Sequence, residues 1–174
     1  MKAIARSMGA FAACWLLGAA AASAQQPAIS GCSSERGANG VQTLRCPGGI
    51  ITAENGAQYT LRDRDRNGEV DTVNLRSKAL LLEAPAQRKG HHFEVITPQA
   101  IAAVRGTRWA VDATATATSV LVLVGQVSVS RSTGGGRVVL SPGEGVDVEA
   151  GSGPLTVKRW PEARVNALMA RLGQ

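Results

Sequence analysis

Short apolar runs separated by turn signals recur along most of the chain. VQTLRC (41–46), GIITAE (49–54), QYTLRD (58–63) and VDTVNL (70–75) are each brief and β-branched or alternating, the pattern of half-buried strands. ALLLEAP (79–85) fits either a strand or a short helix, and Pro85 ends it in both cases. FEVITP, AIAAVRG, TRWAVDA, SVLVLVG, QVSVSRS, RVVLSPG, GVDVEA and PLTVKRW then follow between residues 93 and 160. Val127 and Val129 alternate with Gln126, Ser128 and Ser130, which predicts one buried and one solvated face. Val120–Val124 is apolar on both sides and should be buried on both. Gly106, Gly125, Gly143 and Gly151 punctuate these runs where turns need positive φ. The expectation is an all-β domain.

One helix is expected, over 161–174. Pro161 opens it and Glu162 sits in its first turn. Val165, Leu168, Met169 and Leu172 recur at helical spacing, so an amphipathic stripe should dock on the β core. The alternative is that this stripe docks on a membrane or a partner. Gln25–Asn39 has no periodicity and reads as a flexible leader.

The N-terminus changes how composition is read. Residues 1–24 carry Lys2 and Arg6, then an uncharged stretch from Met8 to Ala22, then Ala22-Ser23-Ala24, the layout of a cleaved signal peptide. A retained anchor would need about 20 strongly apolar residues, and Phe11-Ala12-Ala13 is a poor lipidation context for Cys14. Export to the periplasm or beyond is therefore expected, with no membrane span after cleavage. The 174-residue chain has a formal charge of +6; without Lys2 and Arg6, 17 basic residues face 13 acidic ones, leaving +4. In an exported protein, so small an excess points away from nucleic acid. Cys32 and Cys46 remain as a pair, and a disulfide between them would close a 15-residue loop worth about 3 kcal/mol. A reactive or metal-binding thiol pair is the competing reading. The basic connector 84–92 divides a 25–90 region from a 91–160 domain.

Candidate chemistry is sparse. In DRDRNGEVD, Asp63, Asp65 and Asn67 stand at alternate positions, Gly68 follows, and Asp71 comes ninth, as in the front half of a calcium loop. Position twelve is Asn74 rather than glutamate, and Arg62, Arg64 and Arg66 interleave the acids. A hairpin loop turning at Asn67-Gly68 is one reading and a weak Ca²⁺ site is the other. His91 and His92, adjacent on the connector, are read as solvent-exposed. No serine has a nucleophile elbow, GGG at 134–136 and SPGEG at 141–145 read as hairpin tips, and no catalytic constellation emerges.

Thr97-Pro98, then Val104-Arg105-Gly106-Thr107 with Trp109 and Val111 after it, then VLVLVGQVSVS (120–130) and VVLSPGEGVDV (138–148), occur in an order that resembles the FecR-domain family. The match covers about residues 91–150, and its motif positions are Thr97, Pro98, Arg105, Gly106, Thr107, Trp109, Gly125 and Gly143. The resemblance implies an extracytoplasmic, short solenoid-like or sandwich-like β domain. Better-known relatives are transmembrane sigma-factor regulators, whose cytoplasmic segment and internal membrane helix have no counterpart here. What the resemblance carries over is a stand-alone, non-enzymatic binding or scaffolding module with a protein partner in the envelope. A strand edge from the 120–130 region could pair with that partner. A calcium- or cell-wall-binding module using the Asp63–Asp71 loop or the basic surface is the alternative.

Overall fold

A computed structural model describes residues 31–85, 93–104 and 106–174. Residues 1–30, which include the expected signal peptide and the start of the leader, and His91, His92 and Arg105 lie outside the described residues. The strands are β1 (Ser33–Arg36), β2 (Gln42–Cys46), β3 (Gly49–Ala53), β4 (Gln58–Arg62), β5 (Thr72–Ala84), β6 (Phe93–Ile96), β7 (Ala100–Val104), β8 (Thr107–Ala113), β9 (Ala117–Val124), β10 (Val127–Arg131), β11 (Arg137–Leu140), β12 (Glu144–Glu149) and β13 (Lys158–Arg159). Helix α1 (Glu162–Arg171) follows. The all-β expectation with a C-terminal helix is borne out. Pro161 stands one position earlier than expected, as the N-cap with extended backbone rather than as the first helical residue.

Strand β5 organises the sheet. VDTVNL and ALLLEA are not two elements but one 13-residue strand. Its first half pairs with β4 and, in parallel, with β6; its second half pairs with β3 and β8. Between the halves the register slips by one residue at Arg76, and Lys78 takes φ +72°. A bulge of this kind bends a strand sharply enough to pass from one layer to the next. One layer runs β1-β2-β3-β5-β8-β9-β12-β13 and the other β4-β5-β6-β7-β10-β11. The sheet is folded on itself along β5, which is the sandwich-like of the two expected shapes. Segments on either side of residue 90 share it.

The inner faces enclose the main core, in which Phe93 meets Trp109 edge-to-face with centroids 5.7 Å apart. A second, smaller core lies outside the first layer. Ala79, Leu81, Ala110 and Leu121 point outward there and are covered by Trp160, Leu168 and Leu172. Four consecutive residues, Ala79–Leu82, are therefore buried, as are Trp109–Val111 and Val120–Val122. The apolar stripe of α1 thus docks on its own domain.

Two departures from the expected layout concern edges. The 120–130 segment offers no edge: β9 lies between β8 and β12, and β10 between β7 and β11. The described part of the leader is not irregular, because Ser33–Arg36 pairs with β2. Its four side chains are all exposed, so no hydrophobic period marks it. The Cys32–Cys46 disulfide staples it in place.

Charged side chains fasten the helix flanks. The Arg171 guanidinium meets Asp112 at 2.6 Å and Glu54 at 2.6 Å, and Lys78 reaches Glu54 at 3.7 Å. Arg164 bonds Asp147 and Ser119 and lies 3.5 Å from the centroid of the Trp160 ring. Burial pushes the Glu54 carboxyl up, but its hydrogen bonds to Arg171 and to the Ala79 amide outweigh this and hold it below its ordinary 4.5. The Arg164 hydrogen bond likewise holds Asp147 below 3.8. A folded-state pKa that is depressed gives stability that is complete above the unfolded value and lost as pH falls through the folded one. Urea unfolding between pH 7 and pH 2 should therefore show stability falling only below about pH 4.5. Arg171→Ala should lose stability at neutral pH and show a shallower acid dependence than the parent. Parallel pH curves for parent and variant would refute the clamp.

Candidate functional site

The motif residues fall at the two ends of the folded sheet. Thr97 and Pro98 form the β6–β7 turn, where the Thr97 hydroxyl accepts from the Ala100 amide at 2.9 Å. Across the fold, the Thr118 hydroxyl on β9 lies 2.8 Å from Thr97 Oγ1 and 2.9 Å from Gln99 Oε1. Gln99 Nε2 donates to the Ala115 carbonyl at 3.1 Å, and the Ser132 hydroxyl donates to the Pro98 carbonyl at 2.6 Å. These buried groups satisfy one another and stitch the two layers together. Arg131 does the same beside them. It is buried, and its guanidinium donates to the carbonyls of Glu149 and Gly153 at 2.6 and 2.8 Å, tying β10 to the tail of β12. The alternation of QVSVSRS puts Arg131 on the inward face with Val127 and Val129, and its neighbours in the other layer supply the carbonyls that make its burial tolerable.

At the opposite end, Gly106, Thr107 and Gly125 come together. Gly125 has φ +85°, and a Cβ there would stand 2.5 Å from Thr107 Cγ2 and 2.7 Å from the Gly106 carbonyl. Gly143, on the β11–β12 turn, donates its amide to the Val122 carbonyl at 2.9 Å and accepts from the Trp160 amide at 3.0 Å. Trp109 is fully buried in the main core. Thr97, Gly106, Thr107, Trp109, Gly125 and Gly143 thus shape turns and core rather than converge on a reacting centre.

The loop 63–71 joins β4 to β5. Asp63 accepts from the amides of Asn67 at 3.1 Å and Gly68 at 2.8 Å, and Asp71 accepts from the Arg64 amide at 2.9 Å. Slight desolvation raises Asp63, but these amide bonds outweigh it and lower its pKa. Carboxylate oxygens of Asp63, Asp65 and Asp71 lie within 4.8 Å of one another, and Asp71 Oδ1 is buried with no hydrogen-bond partner among the described residues. Asn67 is held nearby through its contact with Asp65 at 3.1 Å. A hard cation is the chemistry that three converging carboxylates suit.

Residues 46–128 match the family model described as FecR protein. The family resemblance is borne out, though with different bounds: the match begins at Cys46, well before the first motif at Thr97, and ends at residue 128, before VVLSPGEGVDV (138–148) and Gly143. Among solved structures, a crystal structure of a candidate anti-sigma factor from Parabacteroides distasonis is similar in fold, with a TM-score of 0.53 and 19% identity. The alignment covers 79% of this chain and 60% of that one, so this chain spans well under two thirds of its neighbour's length. A second crystal structure of such a chain from the same organism aligns over the same shares, with a TM-score of 0.49 and 18% identity. No curated protein matches the sequence.

Because the motif positions serve the turns, their substitution should cost stability. Gly125→Ala forces both positive φ and the Thr107 contact, and should destabilise by more than about 1 kcal/mol. Thr97→Val removes the hydroxyl that Ala100 and Thr118 share, at about 1–3 kcal/mol. Equilibrium urea unfolding measures both, and unchanged midpoints would deny these positions a structural role.

Proposed function

On the premise that residues 46–128 form a FecR-type domain, we propose that this chain is a non-enzymatic binding or scaffolding module of the cell envelope, acting in signalling or regulation through contact with another protein. The observation that carries this reading is the FecR match laid over a folded sheet whose motif residues build turns and core. A periplasmic or secreted location accords with the charged, then apolar, then small-residue order of residues 1–24 and with the Cys32–Cys46 disulfide, which an oxidising compartment maintains. Anti-sigma activity, as in the description of the structural neighbour, is one form the regulatory role would take.

A tagged full-length chain produced at native level in its own host tests the proposal. Osmotic shock should release it with periplasmic or secreted proteins, processed near Ala24 and oxidised at Cys32 and Cys46. One envelope protein should co-purify with it in near-stoichiometric amount. An unprocessed cytoplasmic chain with reduced thiols, or a chain recovered alone, would overturn it.

The convergence of Asp63, Asp65 and Asp71 around a buried, unpartnered Asp71 oxygen supports a second role, calcium binding by the β4–β5 loop. Asn67 would complete the oxygen set. Calcium at ten times its dissociation constant adds about 1.4 kcal/mol to folding stability. Millimolar Ca²⁺ should accordingly raise the melting temperature of the parent but not of a D63A/D65A variant. Absence of both a heat of binding and a melting shift at 10-fold higher concentrations would dispose of the site.

A further inference from the structure

The two outer faces of the folded sheet are not treated alike. Helix α1 covers the first layer, and three of the arginines around it are paired: Arg164 with Asp147, Arg171 with Glu54 and Asp112, and Arg108 with Glu83, whereas Arg159 on β13 is exposed without a carboxylate among the described residues. Among the described residues no element covers the outer face of the second layer. The strand register sets a row across it from Thr60 through Asn74, Ile96, Ile101 and Ser130 to Arg137. Ile96 and Ile101 are half-buried at its centre, Ala103 lies beside them, and Val139 on the β11 edge is 56% exposed. Arg62 and Arg76 stand at one side of this face and Arg137 at the other, and none of the three has a carboxylate partner among the described residues. The one acidic side chain on it, Glu94, is already held by Arg64.

We propose that this face, the outer surface of β4, the first half of β5, β6, β7, β10 and β11, is the docking surface for an acidic region of a partner protein. The inference rests on the module reading above and names its surface and the partner's chemistry. An apolar centre with arginine at its rim is the composition of a protein interface, and three unneutralised guanidinium groups select carboxylates opposite them. A second copy of this chain would set like charges against one another. A lipid surface would want protruding aromatic or long apolar side chains to insert, and the large exposed apolar residues among those described are two valines, Val124 and Val139.

A photo-crosslinking residue placed at Val139 of the full chain in its host, with Ala167 on the exposed side of α1 as the control position, tests the surface. The expected adduct forms at 139 and not at 167, and its sequenced partner peptide carries an excess of aspartate and glutamate. An R62E/R76E/R137E variant with an unchanged melting temperature should reduce the adduct at least tenfold. A neutral or basic partner peptide, a lipid adduct, a self-adduct, or persistence in the charge-reversed variant would overturn the proposal. A protein that co-purifies with the chain but leaves no adduct at 139 removes this surface while the module reading stands. Recovery of the chain alone removes both.

Discussion

Burial of the central strands on both faces is the constraint from which the rest of this structure follows. The second half of β5 and the middles of β8 and β9 have no solvated side: Leu80, Trp109 and Val120 point into the sandwich while Leu81, Ala110 and Leu121 point out of it. Two apolar faces need two covers. The second layer of the sheet supplies one, and α1 supplies the other through Leu168 and Leu172. Each fully buried leucine contributes about 1.5–3 kcal/mol relative to exposure, so the helix is held by its apolar stripe and the charged clamps add to it. Without α1, Ala79, Leu81, Ala110 and Leu121 would form an exposed apolar patch on an otherwise closed domain.

Folding the sheet over β5 creates seams, and the polar residues that look misplaced in the interior sit at those seams. Where the layers separate, backbone carbonyls face one another with no strand between them. Arg131 reaches across to Glu149 and Gly153, and Thr118 reaches across to Thr97 and Gln99. Buried polar groups are tolerable only when paired, and these pairs also fix how one layer is placed on the other. The same reasoning accounts for Lys78. A non-glycine residue with φ +72° is unfavourable in a strand, but it stands at the bend, where its ammonium can turn outward to Glu54.

What the sequence disclosed and what it hid divide along physical lines. Alternation gave β10 directly, because Val127 and Val129 face the core while Ser128 and Ser130 do not. The unbroken ALLL run announced burial but not its cause, since a strand covered on both faces and a short helix share that pattern. β1 was illegible because it contributes no side chain to the core and depends on backbone pairing and a disulfide. The bulge at Arg76 left no turn residue to betray it, so one long strand looked like two. Asp63, Asp65 and Asp71 were legible as a cluster, because an alternating spacing within one loop needs no tertiary contact to bring them together. Arg62, Arg76 and Arg137 were not, since their common face exists only through the register of six strands.

The pairing of charges then separates the part of the molecule that holds the fold from the part left available. Among the described motif residues, Thr97, Gly106, Thr107, Trp109, Gly125 and Gly143 are absorbed into turns and core, so they specify this architecture and say little about a partner. On the helix side Arg108, Arg164 and Arg171 each have a carboxylate, and removing any of these groups would be felt first as lost stability. Arg62, Arg76 and Arg137 on the outer face of the second layer contribute no such pairing and would be neutral to folding if replaced, unlike Arg131, which is buried between the layers. Clustered like charge with no partner within the domain is unfavourable by itself. The helix side commits Arg108, Arg164 and Arg171 to its own carboxylates, whereas Arg62, Arg76 and Arg137 stand unmatched around a half-buried apolar centre on the side that the helix does not cover, which is why the proposed docking chemistry falls there.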